Sequence, residues 1–466
     1  MKGKVVSITI VLLFLLWTSA LRTMISGGTE SESIWNVAYG GFNHDVARSV
    51  QKTGDGGYIV AGWTMSFGAG LTDFWLIKVD SNGTMQWNQT FGGIANDQAY
   101  SVQQTSDEGY IIVGSTESYG AGLSDFWLVK TDAEGVTQWG KTYGGIYDDV
   151  AFCVRQTIDG GYIITGYTDS FGAGFSDFWL VKTDTNGTMQ WSQTFGGTGF
   201  DRASSVVQTS DGGYMIVGET DSFGAGNFDF WLVGTDSVGT TLWSRTYGGA
   251  SYDVARSVEQ TIDGGYIIGG WTNSFGTGGS DFWLIKTDGF GSQHWNKTYG
   301  WIFDEEAYSV QQTSDEGYII VGSTQSYGFG GWDFWVVKTD TNGTMQWNQA
   351  NGGIADDQAY SVQQTSDEGY IIVGSTESYG AGLSDFWLTK LPQKPEKPPP
   401  PPPPRLPGDI NGDGRVDDFD LILFNEAYGS SPGSPNWNQY ADINGDNIVD
   451  ILDLNILGQN YGQILE

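Results

Sequence analysis

Two stretches near the C-terminus gather oxygen-bearing side chains at intervals that suit a hard metal ion. GDINGDGRVDDFDLILF spans 408–424 and ADINGDNIVDILDLNIL spans 441–457. Each contains the pattern D-x-N-x-D-x-x-x-D-x-x-D. Calcium takes roughly six to eight oxygen ligands, and loops of this kind supply them from positions 1, 3, 5, 9 and 12, with the backbone carbonyl of position 7. In the first loop these are Asp409, Asn411, Asp413, Asp417 and Asp420, with the Arg415 carbonyl. In the second they are Asp442, Asn444, Asp446, Asp450 and Asp453, with the Ile448 carbonyl. An apolar stretch of helical character follows each loop. A single acidic turn would be an ordinary surface feature. Two in the same pattern point to two bound calcium ions.

The duplicated loop, each copy followed by one helix and carrying Asp rather than Glu at position 12, resembles a type I dockerin over residues 408–466. The resemblance implies calcium-dependent docking onto a cohesin-like module of a scaffold or cell-surface protein. Position 6 is Gly414 in the first loop and Asn447 in the second; Asn also tolerates the left-handed conformation. The positions that read the partner in such domains, 10 and 11, are Asp418 and Phe419, then Ile451 and Leu452. They replace the Ser-Thr pairs of well-known members. The class of partner stays open, with docking onto the chain's own N-terminal domain among the options.

Upstream, one unit recurs. Trp35, Trp87, Trp139, Trp191, Trp243, Trp295 and Trp347 are spaced by 52 residues without insertion. A fixed period of this size signals a repeat architecture. Each unit holds four short segments of strand composition. In the second these are 99–105, 109–116, 125–132 and 136–144, joined by tight turns such as TSDEG. The Asn82-Gly83 turn is a hairpin signal because both residues accept positive φ. A four-stranded sheet cannot bury both faces alone, so an all-β propeller of seven blades over 33–391 is predicted. The repeats resemble those of WD40-type and quinoprotein-like secreted propellers, which bears on fold only. An open solenoid would need altered capping repeats, and none is visible. Chain order leaves one strand unmatched at each end, SIWNVAYGG at 33–41 and DFWLTK at 385–390. The first is predicted to complete the last blade and close the ring.

Strand order puts the longer connections, such as YGGIANDQ and TESYGAGLSD, on one face of the ring. Two series of residues recur there. One is acidic: Asp45, Asp97, Asp149, Asp201, Asp253, Glu305 and Asp357. The other is aromatic: Phe67, Tyr119, Phe171, Phe223, Phe275, Tyr327 and Tyr379. One reading is a ring of carboxylates beside aromatic platforms that bind a ligand. The plainer reading is that each carboxylate caps backbone N–H groups and each ring packs between blades. On the inner strand one position varies: Arg48, Tyr100, Phe152, Ser204, Arg256, Tyr308 and Tyr360.

Composition limits the rest. A net charge of -34 argues against nucleic acid, which needs clustered Lys and Arg. MKGK followed by an apolar run to Ala20 reads as a secretory signal within 1–26, hence a secreted or surface location. The run is short for a membrane span. All 12 prolines follow Lys390, and 392–407 reads as a polyproline II spacer. The lone Cys153 stands where other repeats have Ser, which suggests a small buried residue. The propeller is expected to stand as a monomer.

An enzyme needs an asymmetric set of unlike groups. The two histidines, His44 and His294, are at non-equivalent positions, and residues 92–128 and 352–388 differ at one position. The expectation is therefore a non-catalytic propeller that binds a polysaccharide or a surface protein. The alternative is a polysaccharide-active glycoside hydrolase or lyase in a dockerin-assembled complex.

Overall fold

A computed structural model describes residues 34–394 and, further on, 408–410, 415–431, 434, 436, 438, 440–443 and 448–463. The predicted signal, most of the proline-rich stretch, and Asn411, Asp413, Asn444 and Asp446 lie outside the described residues. The chain divides into two compact units between Lys394 and Pro395.

The first unit is a propeller of seven antiparallel four-stranded sheets. In the second blade the strands are Asp97–Gln104, Tyr110–Thr116, Asp125–Thr131 and Thr137–Tyr143, from the axis outward. The third strand of each blade is buried along its whole length, as in Asp125–Thr131. Its alternation explains why. Phe126 turns to the next blade and packs on Trp179, with ring centroids 4.6 Å apart. Trp127, one residue on, turns the other way and packs on Phe74 of the preceding blade at 4.6 Å. A period-2 strand thus covers both faces of the sheet, and each of the seven clusters of buried side chains in this unit spans one blade interface.

The ring closes as the unmatched ends predict. Trp35–Tyr39 is the outer strand of the last blade, paired antiparallel with Asp385–Leu391 from Trp35↔Lys390 to Tyr39↔Phe386. Closure leaves no exposed blade face and removes a sheet edge from each end of the chain.

Every innermost strand carries a β-bulge. Ala47 pairs with Gly62 and Ser49 with Ala61, so Arg48 is the extra residue. The equivalent register shift recurs in the other six blades. Gly62 is required here because a Cβ would lie 2.0 Å from the Val46 carbonyl oxygen.

The second unit contains helices α1, Asp418–Ala427, and α2, Ile451–Asn460. They pack through Ile410, Val416, Phe424, Ala427, Ala441, Val449 and Leu457.

Candidate functional site

In the small unit, the last acidic residue of each loop has a double duty. Asp420 is buried, and its Oδ1 accepts from Ile410 N at 2.7 Å while Oδ2 accepts from Asp417 N at 2.9 Å. Asp453 repeats this with Ile443 N at 2.8 Å and Asp450 N at 2.9 Å. Asp417 and Asp450 are the N-caps of α1 and α2, accepting from Phe419 N and Leu452 N, and the N3 acid completes a capping box. Each position-12 carboxylate therefore joins the helix start to the start of its own loop. Asp409 is buried at the first loop's opening. Arg415 and Ile448, the predicted carbonyl donors, are exposed beside the buried Val416 and Val449. Among the described residues no three His, Cys, Asp or Glu side chains gather as a metal cluster. The predicted set would be completed by Asn411, Asp413, Asn444 and Asp446. The set is hard oxygen throughout and includes carboxylates withdrawn from water, which fits calcium.

The predicted partner-reading residues form exposed surface at the helix starts. Phe419 is 67% exposed, Ile451 53% and Leu452 54%. Asp418 is also exposed and accepts a hydrogen bond from the Tyr461 hydroxyl. Ile422 is 53% exposed, one turn beyond Phe419 on the same helix face. The sequence reading missed it, although the i, i+3 spacing marks it.

In the propeller, the acidic series does structural work. Asp97 is buried; its Oδ2 accepts from Gly93 N at 2.8 Å and Ser118 Oγ at 2.7 Å, and its Oδ1 from Thr116 Oγ1. It thereby clips the connection between blades to the loop after the second strand. The Asp that opens each DFW motif closes that loop: Asp73 accepts from Ala69 N at 2.8 Å and Gly70 N at 3.1 Å. The two carboxylates approach each other across a glycine. A Cβ on Gly92 would lie 1.8 Å from Asp73 Oδ1 and 2.9 Å from Asp97 Oδ2. Burial, with the neighbouring acid adding to it, pushes the DFW carboxyls of Asp73, Asp281 and Asp333 up; Asp281 beside Glu305 and Asp333 beside Asp357 both reach about 6.

The aromatic series is half scaffold. Each ring packs on the Trp of its own blade, from Phe223 on Trp231 at 5.1 Å to Tyr379 on Trp387 at 5.4 Å. Tyr119 and Tyr379 also donate to Gly92 O and Gly352 O at 2.9 Å. Exposure nonetheless runs from 37% at Tyr327 to 47% at Phe171 and Tyr379. The variable inner position coincides with the bulge, and five of its seven residues form an arc. Tyr308 meets Tyr360 at 5.0 Å, the Arg48 guanidinium lies 3.9 Å from the Tyr360 ring and 6.0 Å from Tyr100, and Tyr100 meets Phe152 at 5.0 Å.

The plain reading of Cys153 fits: it is buried, with its thiol 3.8 Å from Val206 O of the next blade. A lysine ladder was not foreseen. Lys78, almost fully buried, pairs with Asp55 Oδ2 at 2.8 Å, and five other blades repeat the pair.

Residues 407–460 match the family model of the dockerin type I domain. The C-terminal unit is therefore a type I dockerin domain; such domains bind calcium and imply a cohesin partner. No curated protein matches the chain in sequence. Among solved structures, the chain is similar to the WD40 domain of Neurospora crassa Pan2, at 11% identity over 76% of this chain and 90% of that one, with a TM-score of 0.45. Sqt1 from Chaetomium thermophilum is 13% identical over 73% and 83%, at 0.43. A puromycin hydrolase is 11% identical over 72% and 50%, at 0.46. The propeller assignment itself rests on the strand pairing above.

Proposed function

We propose that the chain is a secreted, non-catalytic binding protein. Its propeller, 33–391, presents the long-loop face with its seven half-exposed aromatic rings to a carbohydrate or protein ligand. Residues 408–466 hold it to a scaffold or surface through a calcium-dependent dockerin–cohesin contact. Residues 1–26 would direct export, and 392–407 would space the two domains. The observation that carries the non-catalytic part is the engagement of the repeated carboxylates. Asp97 is buried and held by three hydrogen bonds, as are Asp45, Asp201 and Asp253, while Asp149 and Asp357 keep the bond to the glycine N–H of the connection. A glycosidase needs two carboxyl groups facing a sugar across roughly 5–9.5 Å, one of them free to move a proton.

In the dockerin, Asp409, Asp420, Asp442 and Asp453 would hold calcium with the other loop oxygens. The ion would supply charge neutralisation among clustered acids. The test is a glycan array and a polysaccharide hydrolysis screen on the full chain, with cohesin capture in calcium and in chelator. Binding without hydrolysis, and capture only in calcium, is the expected result. Turnover of any polysaccharide would overturn the non-catalytic reading.

A further inference from the structure

Two of the sixth blade's departures from the repeat are brought by the fold to one cleft. Phe329 stands where five of the other blades have Ala and one has Thr. It is 75% exposed. The outer strand of every other blade ends in Phe or Tyr, such as Phe91 or Tyr143; that of the sixth ends in Ala350-Asn351.

The missing ring has a physical origin. Tyr143 reaches across to the outer hairpin of the next blade and donates to Gly187 O at 2.5 Å; Tyr299 does the same to Gly343 O at 2.6 Å. The seventh blade has no such hairpin, because its outer strand comes from the other end of the chain. Asn351 thus faces the closure seam. Without the ring, the cleft between the sixth and seventh blades has a volume of about 590 Å³. The equivalent cleft between the second and third blades, at Gly144, Phe171 and Trp179, has about 340 Å³.

The lining of the larger cleft is specific in chemistry. Phe329, Tyr379 and Trp387 offer aromatic surface, and Asn36, Asn351 and Ser378 offer amide and hydroxyl groups. None of the residues lining it is charged, in a chain of net charge -34. Asn351 Oδ1 accepts from Gln349 Nε2 at 2.7 Å, while its Nδ2 is buried with no protein partner. Aromatic faces with a few neutral donors and acceptors suit a ring that is apolar on its faces and hydroxylated on its rim. A charged ligand would find no counter-charge there.

We propose that the cleft between the sixth and seventh blades is a binding site for a neutral sugar unit of an uncharged glycan. This rests on the reading of the propeller as a binding module and narrows it to one cleft. The test uses the full chain in calorimetric titration with cellohexaose, xylohexaose and mannohexaose. Two variants restore residues already present in other blades: Ala350→Thr with Asn351→Phe, as in the first and third, and Phe329→Ala. At least one hexaose should bind the parent chain, and each variant should weaken it tenfold or more. Gln193→Ala, in the smaller cleft, should leave the affinity unchanged. Unaltered affinity in both restoring variants would overturn the site while leaving the binding propeller intact. Binding of a uronic-acid oligosaccharide or a peptide at this cleft, with no response to the three hexaoses, would overturn the neutral-sugar assignment. Hydrolysis of a hexaose would instead overturn the non-catalytic reading.

Discussion

Phe386 of the last blade packs against Trp75 of the first, with ring centroids 4.5 Å apart. The same Phe–Trp contact joins every other pair of neighbouring blades, as in Phe334 on Trp387 at 4.3 Å. Seven blades therefore have seven such contacts, and the seventh exists only because the chain closes on itself.

The strand Trp35–Tyr39 holds that closure. It buries Trp35, Val37 and Tyr39 in the cluster that also contains Phe386 and Trp75. Full burial of such side chains contributes about 1.5–3 kcal/mol each. Deleting residues 1–42 should therefore lower the propeller's melting temperature by roughly 10 °C or more, given about 2–4 °C per kcal/mol for domains of 150–250 residues. Trp35→Ala alone should cost about 3–5 kcal/mol. Calorimetry checks both. An unchanged transition in the deleted chain would mean that the first strand is not the clasp.

Two sets of aspartates give the propeller opposed pH dependences. Asp281 and Asp333 sit at about 6, raised by burial and then by acidic neighbours. Their fold-induced protonation stabilises the native state fully below the unfolded value of about 4, and that contribution is lost as pH rises through about 6. Asp55, Asp159 and Asp263 behave oppositely. Burial alone would raise them, but hydrogen bonds from Lys78, Lys182, Lys286 and the turn threonines hold them at about 2. Their contribution is present above about 4 and is lost as pH falls towards about 2. The melting temperature should thus rise on acidification from pH 7 to about 4, then fall. Asp281→Asn, which keeps an acceptor for Thr277 N, should flatten the first limb. A melting temperature that falls steadily from pH 7 downward would contradict the raised pair.

How much of this was legible in the letters depends on what each feature needs. The period of 52 and the two unmatched strands disclosed the ring, because a blade count and a missing partner are one-dimensional facts. The dockerin domain was legible for the same reason, since its duplicated loop pattern is a matter of spacing. The lysine of DFWLIK was not. It looks like an ordinary surface charge, yet Lys78 lies in a strand buried on both faces and reaches Asp55 in a neighbouring turn. The fourth blade shows how local that solution is. Gly234 replaces the lysine, and a Cβ there would lie 2.4 Å from the Trp243 ring, which has taken the space. The cleft beside Asn351 was hidden as well, since the lost ring matters only once the seam is known to lack a hairpin.

The exposed starts of α1 and α2 carry the next expectation. Phe419 and Ile422 on one helix, and Ile451 and Leu452 on the other, present apolar side chains to solvent. Residues of this kind at an interface centre cost about 1–3 kcal/mol each on truncation. Phe419→Ser with Ile422→Ser, or Ile451→Ser with Leu452→Ser, should weaken cohesin binding tenfold or more in surface plasmon resonance and leave the helical circular dichroism unchanged. Two pairs unequal in effect would identify the helix that reads the partner. Full affinity in both variants would place the contact elsewhere on the domain.

The calcium expectation follows from Asp420 and Asp453. Each is fully buried, and both of its oxygens hold backbone N–H groups that tie a loop start to a helix start. A carboxylate withdrawn from water among other acids is costly unless a cation is near. The domain spans some 54 residues by its family match, below the size at which a core alone stabilises well. The ion should therefore supply much of its folding free energy. Chelation should lower the helical signal at 222 nm and abolish cohesin capture, and added calcium should restore both. The propeller transition should not move, since among its described residues no three acidic side chains gather as a metal site. Asp420→Ala with Asp453→Ala should mimic chelation even in excess calcium, because it removes the last ligand and the capping-box acceptor of each loop together. Asp420→Asn with Asp453→Asn retains an acceptor for the capping contacts and separates the two roles. If the helices persist while calcium affinity falls, the carboxylate charge serves the ion; if helices and affinity both survive, these two aspartates are structural clips like those of the blades.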